Sequence, residues 1–129
     1  MKKEWNDVRE FHDKFGHPVA EQPKMIDKKR ALSRAKWIAE FLIADNIYEQ
    51  ADAMIDLMYF ALGTMVEMGL EADELFEIVQ QANMAKLWPD GKPHYNPKDG
   101  KVIKPDTWED PAPKIKAYID SVIEAKRSK

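Results

Sequence analysis

The sequence predicts an all-α protein, and three observations carry that prediction. Apolar residues recur at three- and four-residue spacing through most of the chain, the period of an amphipathic helix. The stripes stop at Gly16, at the run "ADN" and at Gly69, all of which end helices readily. Only "KVI" at 101–103 reads as a strand, and it is too short to found a sheet. The expected architecture is at least three substantial helices and one long loop on the C-terminal side, all in one domain over residues 1–129.

Near the N-terminus, "NDVREFHDKFG" reads as a short helix capped by Asn6, with Trp5, Val8, Phe11 and Phe15 as its stripe and Gly16 as its stop. "HPVAEQP" is an extended connector, because each proline restricts the residue before it. From about Asp27 a helix runs through "KKRALSRAKWIAEFLIA", with Leu32, Trp37, Ile38, Phe41 and Leu42 as its buried side. A longer helix is predicted from Ile47 to Met68. "EADELFEIVQQANMAKLW" forms another, with Leu75, Phe76, Ile78, Val79, Ala82 and Leu87 inward and acids in its first turn. Residues 89–113 are dense in Pro, Gly, Asp and Asn, a loop of a length that is uncommon unless it works or is disordered. Tyr95, Val102, Ile103 and Trp108 argue that it packs. "KIKAYIDSVIEAKRSK" closes the chain as an amphipathic helix with a basic, frayed end.

Composition narrows the function classes. A net charge of −3 gives no reason to expect nucleic acid, and no apolar run has the length of a membrane span. No apolar signal core follows the N-terminal lysines, so a cytoplasmic location is expected. Without cysteine there is no disulfide framework, thiolate chemistry or Cys-based zinc site. His12, His17 and His94 lack ligand spacing and read as surface or packing residues.

The stretch "YEQADAMIDLMYFALG" looks like a core helix, yet it carries Glu49, Asp52 and Asp56. At about 100° per residue Asp52 sits about 60° from Glu49, and Asp56 returns to within about 20° of it. All three carboxylates therefore share one face. Such a line is often only a solvated face, but the residues around it leave little room for one. Carboxylates on a mostly buried helix must be paired, protonated or metal-bound, and clustered oxygen ligands favour a hard cation such as Mg²⁺. The apolar circumference of the same helix predicts an oligomer, since one amphipathic neighbour cannot cover it.

"EQADAMIDLMYFALGTMVEMG", "VQQANMAKL" and "DGKPHYNPKDGKVIKP", with the opening "NDVREFHDKFGHPV", resemble the MazG-like nucleoside triphosphate pyrophosphohydrolases, in the branch related to phosphoribosyl-ATP pyrophosphohydrolase. The resemblance implies a MazG-like helical bundle, assembled as a homodimer or homotetramer. It implies hydrolysis of a nucleotide between its α- and β-phosphates, with Mg²⁺ held by acids of two adjacent helices. Glu49 and Asp52 match the E-x-x-D of one helix, with Asp56 a further acid one turn on. Asn83 and Lys86 match an N-x-x-K that contacts phosphates. The resemblance thus makes Glu40, Glu49, Asp52 and Asp56 the metal set, with Glu40 or Asp56 as the proton acceptor. Lys92, Lys101 and Lys104 are then candidates to close over substrate, and Tyr95 and Trp108 either stack a base or anchor the loop.

The chain departs from this pattern at the partner helix. Where E-E-x-x-E is expected, "AKWIAEFLIADNIYEQ" offers Glu40 alone, and about one turn is missing between Ile38 and Phe41. Removing four residues rotates the remainder of the helix by about 400°, so the apolar stripe survives and a ligand pair does not. The departure supports a rival reading, a catalytically impaired nucleotide-binding or assembly protein on the same scaffold.

Overall fold

The chain winds into six helices and one minimal hairpin, seen in a computed structural model that describes residues 1–128. They are α1 (Lys2–Phe15), α2 (Lys28–Ser33), α3 (Ala35–Leu42), α4 (Ile47–Met68), α5 (Ala72–Met84), β1 (His94–Tyr95), β2 (Val102–Ile103) and α6 (Ala112–Arg127). These elements group into two compact units. One holds Met1–Ala72 and the chain end from Val122, the other Asp73–Ser121. All-α is the fold class.

In the first unit α1 and α3 both pack on α4. Trp5, Val8, Leu62 and Val66 form the core, closed by Ala72. Trp5 explains why α1 starts at Lys2 and not after Asn6. Its ring must lie on the helix to reach the core, where its Nε1 donates to the Leu70 carbonyl at 2.8 Å. Burial overrides the capping preference, and Asn6 sits exposed inside α1. The expected stop at Gly16 holds, with φ 72°.

The connector after α1 crosses the C-terminus of α4, where the last carbonyls lack helical partners. Ala20 and Lys24 donate to the Val66 and Met68 carbonyls at 3.2 and 2.8 Å. Gly69 ends α4 at φ 73°, and a Cβ there would lie 2.5 Å from the Gln22 carbonyl oxygen. Both the left-handed backbone and the close crossing therefore require glycine.

The helix predicted from Asp27 is correct at its start, where the Asp27 carboxylate caps Arg30 N at 2.8 Å. It is broken at Arg34. There the amides of Arg34 and Trp37 bond three residues back, a tightened turn, and the helix ends at Leu42. Its buried side is narrower than expected. Trp37 and Phe41 are half-buried, but Leu32, Ile38 and Leu42 are exposed, Leu32 at 78%. The physical reason is the seam: Arg34, Trp37 and Phe41 recur at helical spacing along α4, and residues off that line stay exposed.

The limits of α4 are those predicted. Asn46 Oδ1 accepts from Glu49 N at 2.9 Å, and Glu49 Oε2 accepts from the N–H of Asp45, the residue before the cap, at 3.0 Å. The helix is not buried all round, since Ile47, Tyr48, Ile55 and Met58 are exposed.

In the second unit α5 stops at Met84, short of the expected Trp88. Leu75, Ile78 and Ala82 are half-buried as one stripe, whereas Phe76, Val79 and Leu87 are exposed. The loop does contain a sheet, a two-residue antiparallel ladder pairing His94 with Ile103 and Tyr95 with Val102. Its indole anchors hold it. Trp88 Nε1 donates to the Ile103 carbonyl at 2.9 Å and stacks on His94 at 4.5 Å, and Trp108 Nε1 donates to the Ala82 carbonyl at 2.7 Å. Tyr95, Val102 and Ile103, expected to pack, contribute backbone pairing while their side chains stay exposed. α6 begins at Ala112 and stays helical to Arg127, where Lys126 reaches the Glu21 carbonyl. Lys129 of the predicted basic end lies outside the described residues.

Candidate functional site

Acids and a cavity share one face of α4. Asp52, Asp56, Phe60, Gly63 and Glu67 follow one another at four- or three-residue spacing. Asp52 is exposed and Asp56 half-buried, and neither has a hydrogen bond or ion pair among the described residues. Glu49, at the N-terminal end of the same line, is engaged in the helix cap. Glu40 on α3 is exposed and likewise without a partner among the described residues.

The register of α3 against α4 explains the spacing between these acids. Trp37 stacks on Phe60 at 4.1 Å, and Arg34 Nε donates to Thr64 Oγ1 at 2.9 Å. The helices are antiparallel, so each residue forward on α3 is one residue back on α4. Glu40 and Phe41 therefore stand level with Asp56 and Leu57. α3 ends before it reaches the level of Asp52 or Glu49. Among the described residues no three His, Asp or Glu side chains converge as a ready-made cation site.

At the end of α5, in the second unit, Lys86 Nζ donates to Asn83 Oδ1 at 3.1 Å. This brings together the two residues proposed to meet phosphates and leaves further N–H donors on the ammonium. Lys104 lies over the Trp108 ring at 4.2 Å, and Lys92 and Lys101 are exposed.

Above Asp56 the first unit forms an open-sided cavity of about 490 Å³, within the usual range of small-molecule sites. Its floor is a charge cluster that sequence reading missed. Glu67 is 3% exposed and held by two arginines: Arg30 Nε at 2.8 Å and the guanidinium of Arg34. Burial alone would push the Glu67 carboxyl up, but the hydrogen bond from Arg30 and the charges of Arg34 and Arg30 outweigh it and hold it below its ordinary value. A carboxylate depressed in the folded state stabilises above its unfolded pKa, about 4.3 for glutamate. That contribution is lost as pH falls through the lower, folded value. Urea midpoints from pH 7 down to pH 3 should therefore fall more steeply for the native chain than for Glu67→Gln. Parallel curves would count against this cluster as a stabilising one.

His12 is the cavity's second buried polar group, at 7% exposure. Its Nδ1 lies 2.8 Å from the Pro18 carbonyl, which can only accept. Nδ1 therefore carries the hydrogen, and in the neutral ring Nε2 is a free acceptor. A Cβ on Gly63 would come within 2.9 Å of that Nε2. Two features of the sequence mark the place only in retrospect: a glycine inside an apolar helix, which costs about 1 kcal/mol against alanine, and an acid near that helix's end.

The family model for phosphoribosyl-ATP pyrophosphohydrolase matches residues 8–83, which take in the acidic line, the cavity and Asn83. Among solved structures the chain is similar to a candidate NTP pyrophosphohydrolase of Exiguobacterium sp. 255-15. The two are 36% identical with a TM-score of 0.58, over 95% of this chain and 97% of that one. No curated protein matches the chain. No single helix among the described residues is long and apolar enough to cross a membrane.

Proposed function

Because the chain belongs to the phosphoribosyl-ATP pyrophosphohydrolase family, we propose that it is a Mg²⁺-dependent nucleotide pyrophosphohydrolase, cleaving a nucleoside triphosphate or related nucleotide into a monophosphate and pyrophosphate. The observation that carries the reading is the pair Asp52 and Asp56, one turn apart and both without partners among the described residues, within the matched segment. Mg²⁺ needs only one or two carboxylates when water and substrate phosphates complete its octahedron. The donor chemistry therefore fits, with Asp52 and Asp56 as holders and Glu49 and Glu40 beside them. When bound, the ion supplies charge neutralisation at the phosphates and an acidified water.

The chain's own residues do the rest. Lys86 and Asn83 hold phosphate oxygens, the lysine as a point charge. Asp56 or Glu40 accepts a proton from the attacking water as its oxygen bonds to the α-phosphorus. The α–β bridging bond then breaks, and pyrophosphate leaves. A cytoplasmic location belongs to the same reading.

The test is a panel of nucleoside triphosphates with and without Mg²⁺, separating pyrophosphate from orthophosphate release. Orthophosphate alone, or release indifferent to the cation, would overturn the reading. The alternative, a catalytically impaired nucleotide-binding or assembly protein, is favoured by one observation: no three acids converge among the described residues.

The proposal includes a homodimer or homotetramer. Leu42, Ile43, Ile47 and Tyr48 cluster at the α3–α4 turn and are 71–82% exposed. Isolated surface leucines are ordinary, but a contiguous patch asks for a partner. Light scattering at micromolar concentration should give at least twice the 15.0 kDa chain mass. A monomer mass would count against assembly.

A further inference from the structure

We infer that the cavity above Asp56 is the base subsite of the nucleotide, with the His12 Nε2 as the acceptor that engages the base, an inference that rests on the hydrolase reading. The position fits. Asp56 and Gly63 share one face of α4 and are seven residues apart, a rise of about 10 Å. A nucleotide with its phosphates at Asp52 and Asp56 therefore reaches the cavity with its ribose along Tyr59 and Phe60. The walls suit a flat ring, with Phe11 stacked on His17 at 5.5 Å and Trp37 on Phe60 at 4.1 Å.

His12 provides the polar contact. It is more than nine-tenths buried, its tautomer is set by Pro18, and its remaining ring nitrogen has no partner among the described residues. Every nucleobase presents an N–H donor that such an acceptor can take. Gly63 keeps that nitrogen open, because any side chain there would stand 2.9 Å from it. This gives a test from the opposite side of the contact, in which the His12 ring has to shift to admit a methyl group. Gly63→Ala adds one methyl group over Nε2 while favouring the helix.

The probes are AMP, GMP, CMP and UMP, with ribose 5-phosphate and pyrophosphate as baseless controls, titrated calorimetrically into the protein. At least one monophosphate should bind roughly tenfold or more tighter than ribose 5-phosphate, the scale of a base-stacking contact. Gly63→Ala and His12→Ala should each erase most of that preference and leave pyrophosphate affinity unchanged. His12→Gln, which restores an acceptor, should recover part of it. If His12→Ala does not fold, as judged by circular dichroism, Gly63→Ala decides alone. Monophosphates binding no tighter than ribose 5-phosphate would overturn the inference, as would a preference indifferent to Gly63→Ala. Pyrophosphate release with no base preference sinks this inference and spares the hydrolase reading. A base preference sensitive to Gly63→Ala without any release does the reverse.

Discussion

Asp52→Asn should abolish Mg²⁺ binding and pyrophosphate release while leaving the fold intact. The substitution keeps the shape of the side chain and removes the charge that a hard cation requires. Losing a ligand should cost at least as much as losing a residue that merely supports one, roughly ten- to a hundredfold in metal affinity. Stability should barely change, because Asp52 is exposed and surface substitutions usually stay within about 0.5 kcal/mol. A small gain is expected. Asp52 stands three residues from Glu49 and four from Asp56, and like charges at those spacings repel by about 0.2–0.5 kcal/mol per pair on a helix. Calorimetric titration of Mg²⁺ into the variant separates this from a folding defect. An unchanged affinity would remove Asp52 from the metal set, whatever happened to activity.

The α4 boundaries were legible in the sequence because their causes are local. Asn46 caps within one turn, and Gly69 alone tolerates the backbone that stops the helix. The start of α1 was not legible, because it is set by the carbonyl of Leu70, sixty-five residues beyond Trp5. The breadth of each buried stripe failed for a related reason. Periodicity shows that Leu32, Ile38 and Phe76 face the same way as their neighbours, but not whether anything lies opposite. For the site, the shared face of Asp52 and Asp56 is set by helical angles and was readable. The Arg30–Glu67–Arg34 cluster was not, since it joins α4 to residues more than thirty positions away. His12 could not be told from an ordinary packing residue until Pro18 and Gly63 were placed around it.

The largest gain in activity is expected from lengthening α3 by one turn. With Trp37 opposite Phe60, Leu42 stands level with about Ile55, and the first eight residues of α4 run on for about 12 Å without α3 beside them. Glu49 and Asp52 lie in that overhang, as does the exposed pair Ile47 and Tyr48. Four residues inserted after Ala39, two glutamates and two apolar, would add about 6 Å and about 400°. Arg34 and Trp37 precede the insertion and keep their contacts. Phe41 keeps its phase and moves down to the level of Ala53 and Asp52, while the new glutamates come level with Met54 to Leu57. The acids of the two helices would then face each other. The insertion variant should bind Mg²⁺ more tightly by calorimetry. It should also release pyrophosphate roughly tenfold faster or more, the factor that about 1.4 kcal/mol of transition-state stabilisation supplies. If the native chain is already as active as the variant, then Glu40, Glu49, Asp52 and Asp56 suffice, and the short α3 has no catalytic consequence. If neither form releases pyrophosphate while both still bind nucleoside monophosphates, the scaffold is a binding or assembly protein.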